Sequence, residues 1–149
     1  MLDTYRVKTR IEEIRRRLQI LEKDFKSLPE EKLVTDENLY AAAERHLEVA
    51  IQACLDIANH LISSLGLERP QKEASEVFFT LAKEGVVPSD LAQVMKLVVG
   101  YRNIVAHEYL DVERHFTYKY IQEGLPDLAK FAKEIEKFLQ EFSQKKKLH

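Results

Sequence analysis

Between Leu39 and Leu65 apolar side chains return every three or four positions: Leu39, Ala43, Leu47, Ala50, Ile51, Cys54, Leu55, Ala58, Leu61, Ile62 and Leu65. A strand would scatter this set over two faces, whereas a helix gathers it into one wide stripe. The segment can therefore bury its apolar surface only as a long helix with neighbours on several sides, and it is predicted to be the central one. Thr35 is the expected N-cap, followed by Asp36 and Glu37 in the first turn, where the positive end of the helix dipole favours carboxylates. Gly66 is the expected C-terminal stop.

The preceding segment carries a narrower stripe. Val7, Ile11, Ile14, Leu18, Leu21 and Phe25 alternate spacings of four and three, a heptad seam suited to helix–helix packing. Pro29 with Glu30 and Glu31 ends it, which predicts a first helix over about residues 3–27. After Pro70 a short helix is expected around Ala74, Val77, Phe78 and Leu81, closed by Gly85. Pro88, Ser89 and Asp90 open another, with Ser89 as its cap and Leu91, Val94, Met95, Val98, Tyr101, Ile104 and Val105 as its apolar positions. A last helical stretch begins near Asp111 and is expected to kink or break at Gly124-Leu125-Pro126 before Leu128, Phe131, Ile135, Phe138 and Phe142 resume the stripe. No segment shows a period of two. The expected fold is all-α: an up-and-down bundle of four long helices plus a short one, in a single domain over residues 1–143, with a disordered basic tail over 144–149.

The chain has 149 residues, enough for one ordinary core without disulfides or metals. Its single cysteine, Cys54, cannot form an internal disulfide and favours a reducing, cytoplasmic setting. No apolar run approaches the ~18 residues that span a bilayer, so no membrane association is expected. With 23 basic and 25 acidic side chains the formal charge is −2, which predicts no sequence-independent grip on nucleic acid beyond local clusters such as Arg15-Arg16-Arg17 and Lys145-Lys146-Lys147.

Most site chemistries are absent. The glycines at 66, 85, 100 and 124 never form a phosphate-cradling loop. No Glu-x-x-His pair of the di-metal bundle kind occurs. Asp56 and His60, one turn apart, read as a structural pair, and neither a metal nor a cofactor is expected. Cys54 sits among apolar residues that would raise its pKa rather than activate it.

The exception is the end of the Ser89 helix, where Tyr101, Arg102, Asn103, His107, Glu108 and Tyr109 crowd together. Arg102 offers a permanent, planar cation suited to phosphate oxygens, and His107 exchanges protons near neutral pH. Asn103 and His107 lie one turn apart on one face. Arg102 and His107, five residues apart, diverge by roughly 140° around the axis, too far to grip one ligand as an adjacent pair. Two copies of this helix meeting across a two-fold axis would bring both pairs to one cleft. Such a homodimer could supply the base, the acid and the phosphate-holding cation that attack by a ribose 2′-hydroxyl requires. Spacing alone leaves another reading open, since arginine and histidine near a helix C-terminus also complement its dipole.

Arg102, four residues, His107, one residue and Tyr109 resemble the Arg-x4-His-x-Tyr signature of the HEPN superfamily, specifically the HepT-like toxins. Asn103 after the arginine is similar too, as are Ala43-Glu44-Arg45 and Leu55-Asp56-Ile57-Ala58-Asn59-His60 in the long helix. The resemblance implies a homodimeric, metal-independent endoribonuclease toxin, with Arg102 holding the scissile phosphate of RNA, His107 acting as acid or base and Asn103 supporting them. It also implies a minimal nucleotidyltransferase antitoxin partner of the MntA kind that attaches AMP to Tyr109, where added phosphate would repel RNA. Two other readings remain: a non-catalytic nucleotide-binding or partner-docking module for a nucleotidyltransferase, and a plain dimerisation scaffold. Glu44, Asp56 and His60 receive no role from sequence.

Overall fold

The computed structural model describes the backbone of residues 1–105 and 110–148 and the side chains of residues 1–102 and 114–145. Within that range the chain is helical, with no strand among the described residues. The first helix, α1 (Thr4–Ile20), is capped by the Asp3 carboxylate, which accepts from the Arg6 N–H at 3.0 Å. It runs on through one wider turn, Leu21–Phe25, where the Lys26 N–H reaches back five residues to the Leu21 carbonyl. All six seam residues, Val7 to Phe25, are buried.

Pro29 ends this helix as expected, but it also starts another. Its fixed φ of −63° leads into α2 (Glu30–Thr35), a short helix the sequence reading missed, with Glu30 and Glu31 in its first turn. Thr35 is consequently not a cap: it closes α2 and its hydroxyl donates to the Glu31 carbonyl at 2.7 Å. Asp36 caps α3 (Glu37–Ser64) instead, accepting from the Asn38 and Leu39 N–H groups at 3.0 and 3.1 Å. A charged carboxylate is the stronger acceptor at the positive end of a helix, which is why the neighbouring residue takes the role.

The central position expected for α3 is borne out. It packs against α1 and α2 and, in the second half of the chain, against α4 (Val77–Lys83), α5 (Ser89–Val105), α6 (Leu110–Glu123) and α7 (Leu125–Leu148). Leu47, Ile51, Cys54, Ala58, Leu61 and Ile62 on its stripe are all buried. Gly66 ends α3 at φ 67°, the left-handed conformation that lets the Leu67 N–H return to the Ile62 carbonyl at 2.9 Å. Gly85, at φ 77°, closes α4 in the same way.

Two boundaries differ further. The Pro88 carbonyl accepts the first bond of α5, from Ala92 N–H at 3.1 Å, so Ser89 is the first helical residue rather than the cap. The break expected at Gly124-Leu125-Pro126 falls at Gly124 and divides the last helical stretch into α6 and α7. Finally, α7 passes Ser143: Gln144 and Lys145 are good helix formers, and lysines suit the negative end of the dipole. Among the described residues no helix is long and apolar enough to cross a membrane.

Candidate active site

The first part of α5 belongs to the core, with Leu91, Ala92, Met95, Val98 and Val99 buried. Its end is held differently, by aromatic and hydroxyl groups. The Tyr101 ring stacks on Tyr120 of α6 with centroids 5.8 Å apart and planes 10° from parallel. The Tyr101 hydroxyl hydrogen-bonds the Thr117 hydroxyl, which meets that of Tyr40 at 3.1 Å. Thr117 is fully buried, so one small side chain of α6 ties α5 to the start of α3. Burial also pushes the Tyr120 phenol well above its ordinary pKa, leaving it neutral at any physiological pH.

Gly124 makes this stack possible. A Cβ there would overlap the Tyr120 ring, which is already stacked on Tyr101. The break between α6 and α7 is thus set by close approach as well as by loss of helix propensity.

One residue beyond Tyr101, the Arg102 guanidinium donates through Nη1 to the Gln52 carbonyl oxygen on α3. The Gln52 amide in turn donates to Asp56 Oδ1 at 2.9 Å, and Arg10 Nε of α1 lies 3.6 Å from Asp56 Oδ2. Among the described residues no carboxylate lies within ion-pairing distance of Arg102. Its charge is available to an anion.

Arg102 lines one of two neighbouring openings, and its partner Gln52 lines the other. A charged cleft of about 230 Å³ between α1 and α3 is lined by Arg10, Glu13, Arg45, Glu48, Gln52 and Asp56. A larger groove of about 770 Å³ runs along α5, where Leu97 and Phe116 show 74% and 42% of their surface, Lys96 pairs with Glu73 at 3.6 Å and Arg102 supplies a cation.

On α6, Arg114 Nη1 donates to the Val34 carbonyl at 2.6 Å and Nη2 to the Glu37 carboxylate at 2.9 and 3.0 Å. The same guanidinium lies 4.5 Å from the Tyr40 ring centroid. Beside it, His115 Nδ1 meets Glu30 Oε1 at 2.6 Å, so α6 is clamped to both α2 and α3.

Of the residues singled out in the sequence, Arg102 is placed as described. Asn103 lies within α5, but its side chain falls outside the described residues, as do His107 and Tyr109. Asp56 and His60 do not converge. Asp56 faces Gln52 and Arg10, whereas His60 Nε2 accepts from the Asp3 N–H at 3.1 Å and helps dock the start of α1. Burial pushes the Cys54 thiol up, as its apolar setting predicted. Gln52, Thr117 and Arg114 went unnoticed in the sequence. Only Gln52 carried a local signal, its spacing of four from Asp56 on a helix.

Residues 7–135 match the family described as ribonuclease HepT-like. The chain belongs to that family. A HepT-like relative, the mRNA nuclease HepT of Shewanella oneidensis, is 31% identical over 86 residues, which cover 58% of this chain and 64% of that protein, so the match spans under two thirds of its length. The tRNA nuclease HepT of Aphanizomenon flos-aquae is 29% identical, with 89% of each chain covered. Among solved structures, the tri-AMPylated Shewanella oneidensis HEPN toxin in complex with MNT antitoxin is similar, with a TM-score of 0.78 at 25% identity over 91% of this chain and 98% of that one. The all-α architecture is that of the HepT-like family.

Proposed function

We propose that this HepT-like chain is a metal-independent endoribonuclease, the toxin of a toxin–antitoxin pair, and that it acts in the cytoplasm as a homodimer. The observation that carries the reading is the family match together with Arg102, the motif arginine, held at the end of α5 by a neutral carbonyl with no carboxylate beside it among the described residues. A guanidinium so placed binds a phosphodiester and stabilises the charge that builds on it during cleavage. His107 removes the proton from the ribose 2′-hydroxyl as that oxygen attacks phosphorus. The bond to the 5′-oxygen breaks, and an acid, the second His107 of the dimer, protonates the leaving oxygen. The products are a 2′,3′-cyclic phosphate and a 5′-hydroxyl. Asn103, one turn before His107, orients the imidazole.

The homodimer is supported by the groove along α5, whose exposed Leu97 and Phe116 adjoin Arg102 and suit an isologous contact. A minimal nucleotidyltransferase is the antitoxin partner, adding AMP to Tyr109, two residues from His107. The AMPylated state of the similar Shewanella toxin supports this assignment.

Expression without a partner, with growth and RNA integrity scored beside His107→Ala and Arg102→Ala, tests the reading. Growth arrest and RNA cleavage are expected of wild type alone. Equal behaviour of all three folded proteins would leave the non-catalytic docking module in its place. Incubation with the transferase and ATP should add AMP-sized mass to wild type, and a Tyr109→Phe protein modified equally would overturn the acceptor.

A further inference from the structure

Gln52 is the one described side chain that hydrogen-bonds the Arg102 guanidinium, and its chemistry is informative. An arginine only donates, so Gln52 must present its carbonyl oxygen to Arg102 and its NH2 elsewhere. Asp56 is the matching acceptor, one turn along α3 and 2.9 Å from the amide nitrogen. The amide therefore has one orientation that satisfies both neighbours, and Arg10 near the far carboxylate oxygen steadies Asp56 in turn.

We infer that Gln52 is a positioning residue for Arg102, holding the guanidinium toward its phosphate without neutralising it, with Asp56 fixing the sense of the amide. This rests on the ribonuclease reading only for the identity of the anion. The choice of an uncharged acceptor is the point. A glutamate at 52 would fit the same space, but Asp56 one turn away would repel its carboxylate and drive it onto Arg102. The resulting ion pair would compete with the substrate phosphate for the same N–H groups.

Activity and stability should consequently rank the variants in opposite orders. On kcat/KM for an RNA substrate, wild type should exceed Gln52→Ala by roughly 3- to 10-fold, from lost orientation. It should exceed Gln52→Glu by about 10- to 100-fold, from the competing ion pair. On thermal midpoint, Gln52→Glu should equal or exceed Gln52→Ala. Binding of an RNA lacking the attacking 2′-hydroxyl should lose up to roughly 0.7 of its log–log salt slope in Gln52→Glu but keep it in Gln52→Ala. A merely structural glutamine would give one ranking for both measurements, with Glu the milder change, and that result would overturn the inference. Arg15→Ala, whose partner Glu136 lies on α7 away from the site, serves as the control for surface charge.

A second measurement keeps the inference apart from the function. In a thermal double-mutant cycle, Gln52→Ala and Arg102→Ala should be non-additive by about 2 °C, because either substitution alone removes the shared bond. Wild type that cleaves no RNA would defeat the ribonuclease reading and leave this cycle to decide. Additivity there overturns the role of Gln52.

Discussion

Arg114 and Arg102 stand at facing ends of α6 and α5, and their surroundings are opposite. The Arg114 side chain is 16% exposed, lies over Tyr40, donates to a backbone carbonyl and meets the Glu37 carboxylate. Its charge is compensated and both its Nη groups are bonded, although Nε is buried without a partner among the described residues. Arg102 has a neutral amide oxygen as its one described partner and borders the groove along α5. The first arginine fastens helices together, and the second presents a positive charge. Partner type, more than burial, separates a structural guanidinium from one kept ready for an anion.

The largest test of that contrast is Arg102→Ala. Cleavage should fall by about 10²–10³-fold, while the thermal midpoint stays within about 2 °C of wild type. A large drop in stability would mean that Arg102 is as structural as Arg114. Next comes Gly124→Ala, which displaces the Tyr120 ring stacked on Tyr101 and should cost about 1–3 kcal/mol in chemical denaturation. Because Tyr101 precedes Arg102, activity should fall together with stability, unlike the clean loss in Arg102→Ala. Arg114→Ala should cost about 1–2 kcal/mol through its carbonyl bond and its stacking. Glu37 is 78% exposed, so screening leaves the ion pair itself a minor part. Protein that remains folded should keep most of its activity.

The smallest effect concerns pH. His60 Nε2 accepts from a backbone N–H and His46 Nδ1 from the Arg17 guanidinium at 3.0 Å, so both rings are neutral in the fold. Burial, then nearby arginines, Arg6 for His60 and Arg17 with Arg16 for His46, hold both below the ordinary 6.5. The unfolded chain thus binds more protons, and stability rises with pH through the window below 6.5 and is complete above it. Both rings retain solvent contact, so unfolding at pH 7.5 and at pH 5.5 should differ on the order of 1 °C from this cause. A His60→Gln, His46→Gln protein with an undiminished difference would show that the shift arises elsewhere.

What the sequence reveals here follows the range of each interaction. The α3 stripe is legible because burial repeats with the helix itself, and Gly66 because one backbone conformation excludes most other residues. The Arg102 to Tyr109 motif is legible for the same local reason. Gln52, by contrast, meets Arg102 across fifty positions of chain, and nothing near either residue announces the meeting. Thr117 looks like an ordinary polar helix residue until two tyrosines from different helices close over it. The α2 helix was hidden by Pro29, which is both a terminator for the helix before it and a legitimate entrance to the one after.

The contact between Gly124 and Tyr120 has a consequence for descent. The two positions act as one character, since a side chain at 124 is strained for as long as a tyrosine stands at 120. A lineage that shortens Tyr120 first passes through a loosened but foldable protein and can then accept alanine at 124. The reverse order meets a steric cost at its first step, so either single change is poorer than the pair. Divergent copies of this chain are therefore expected to change the two positions together.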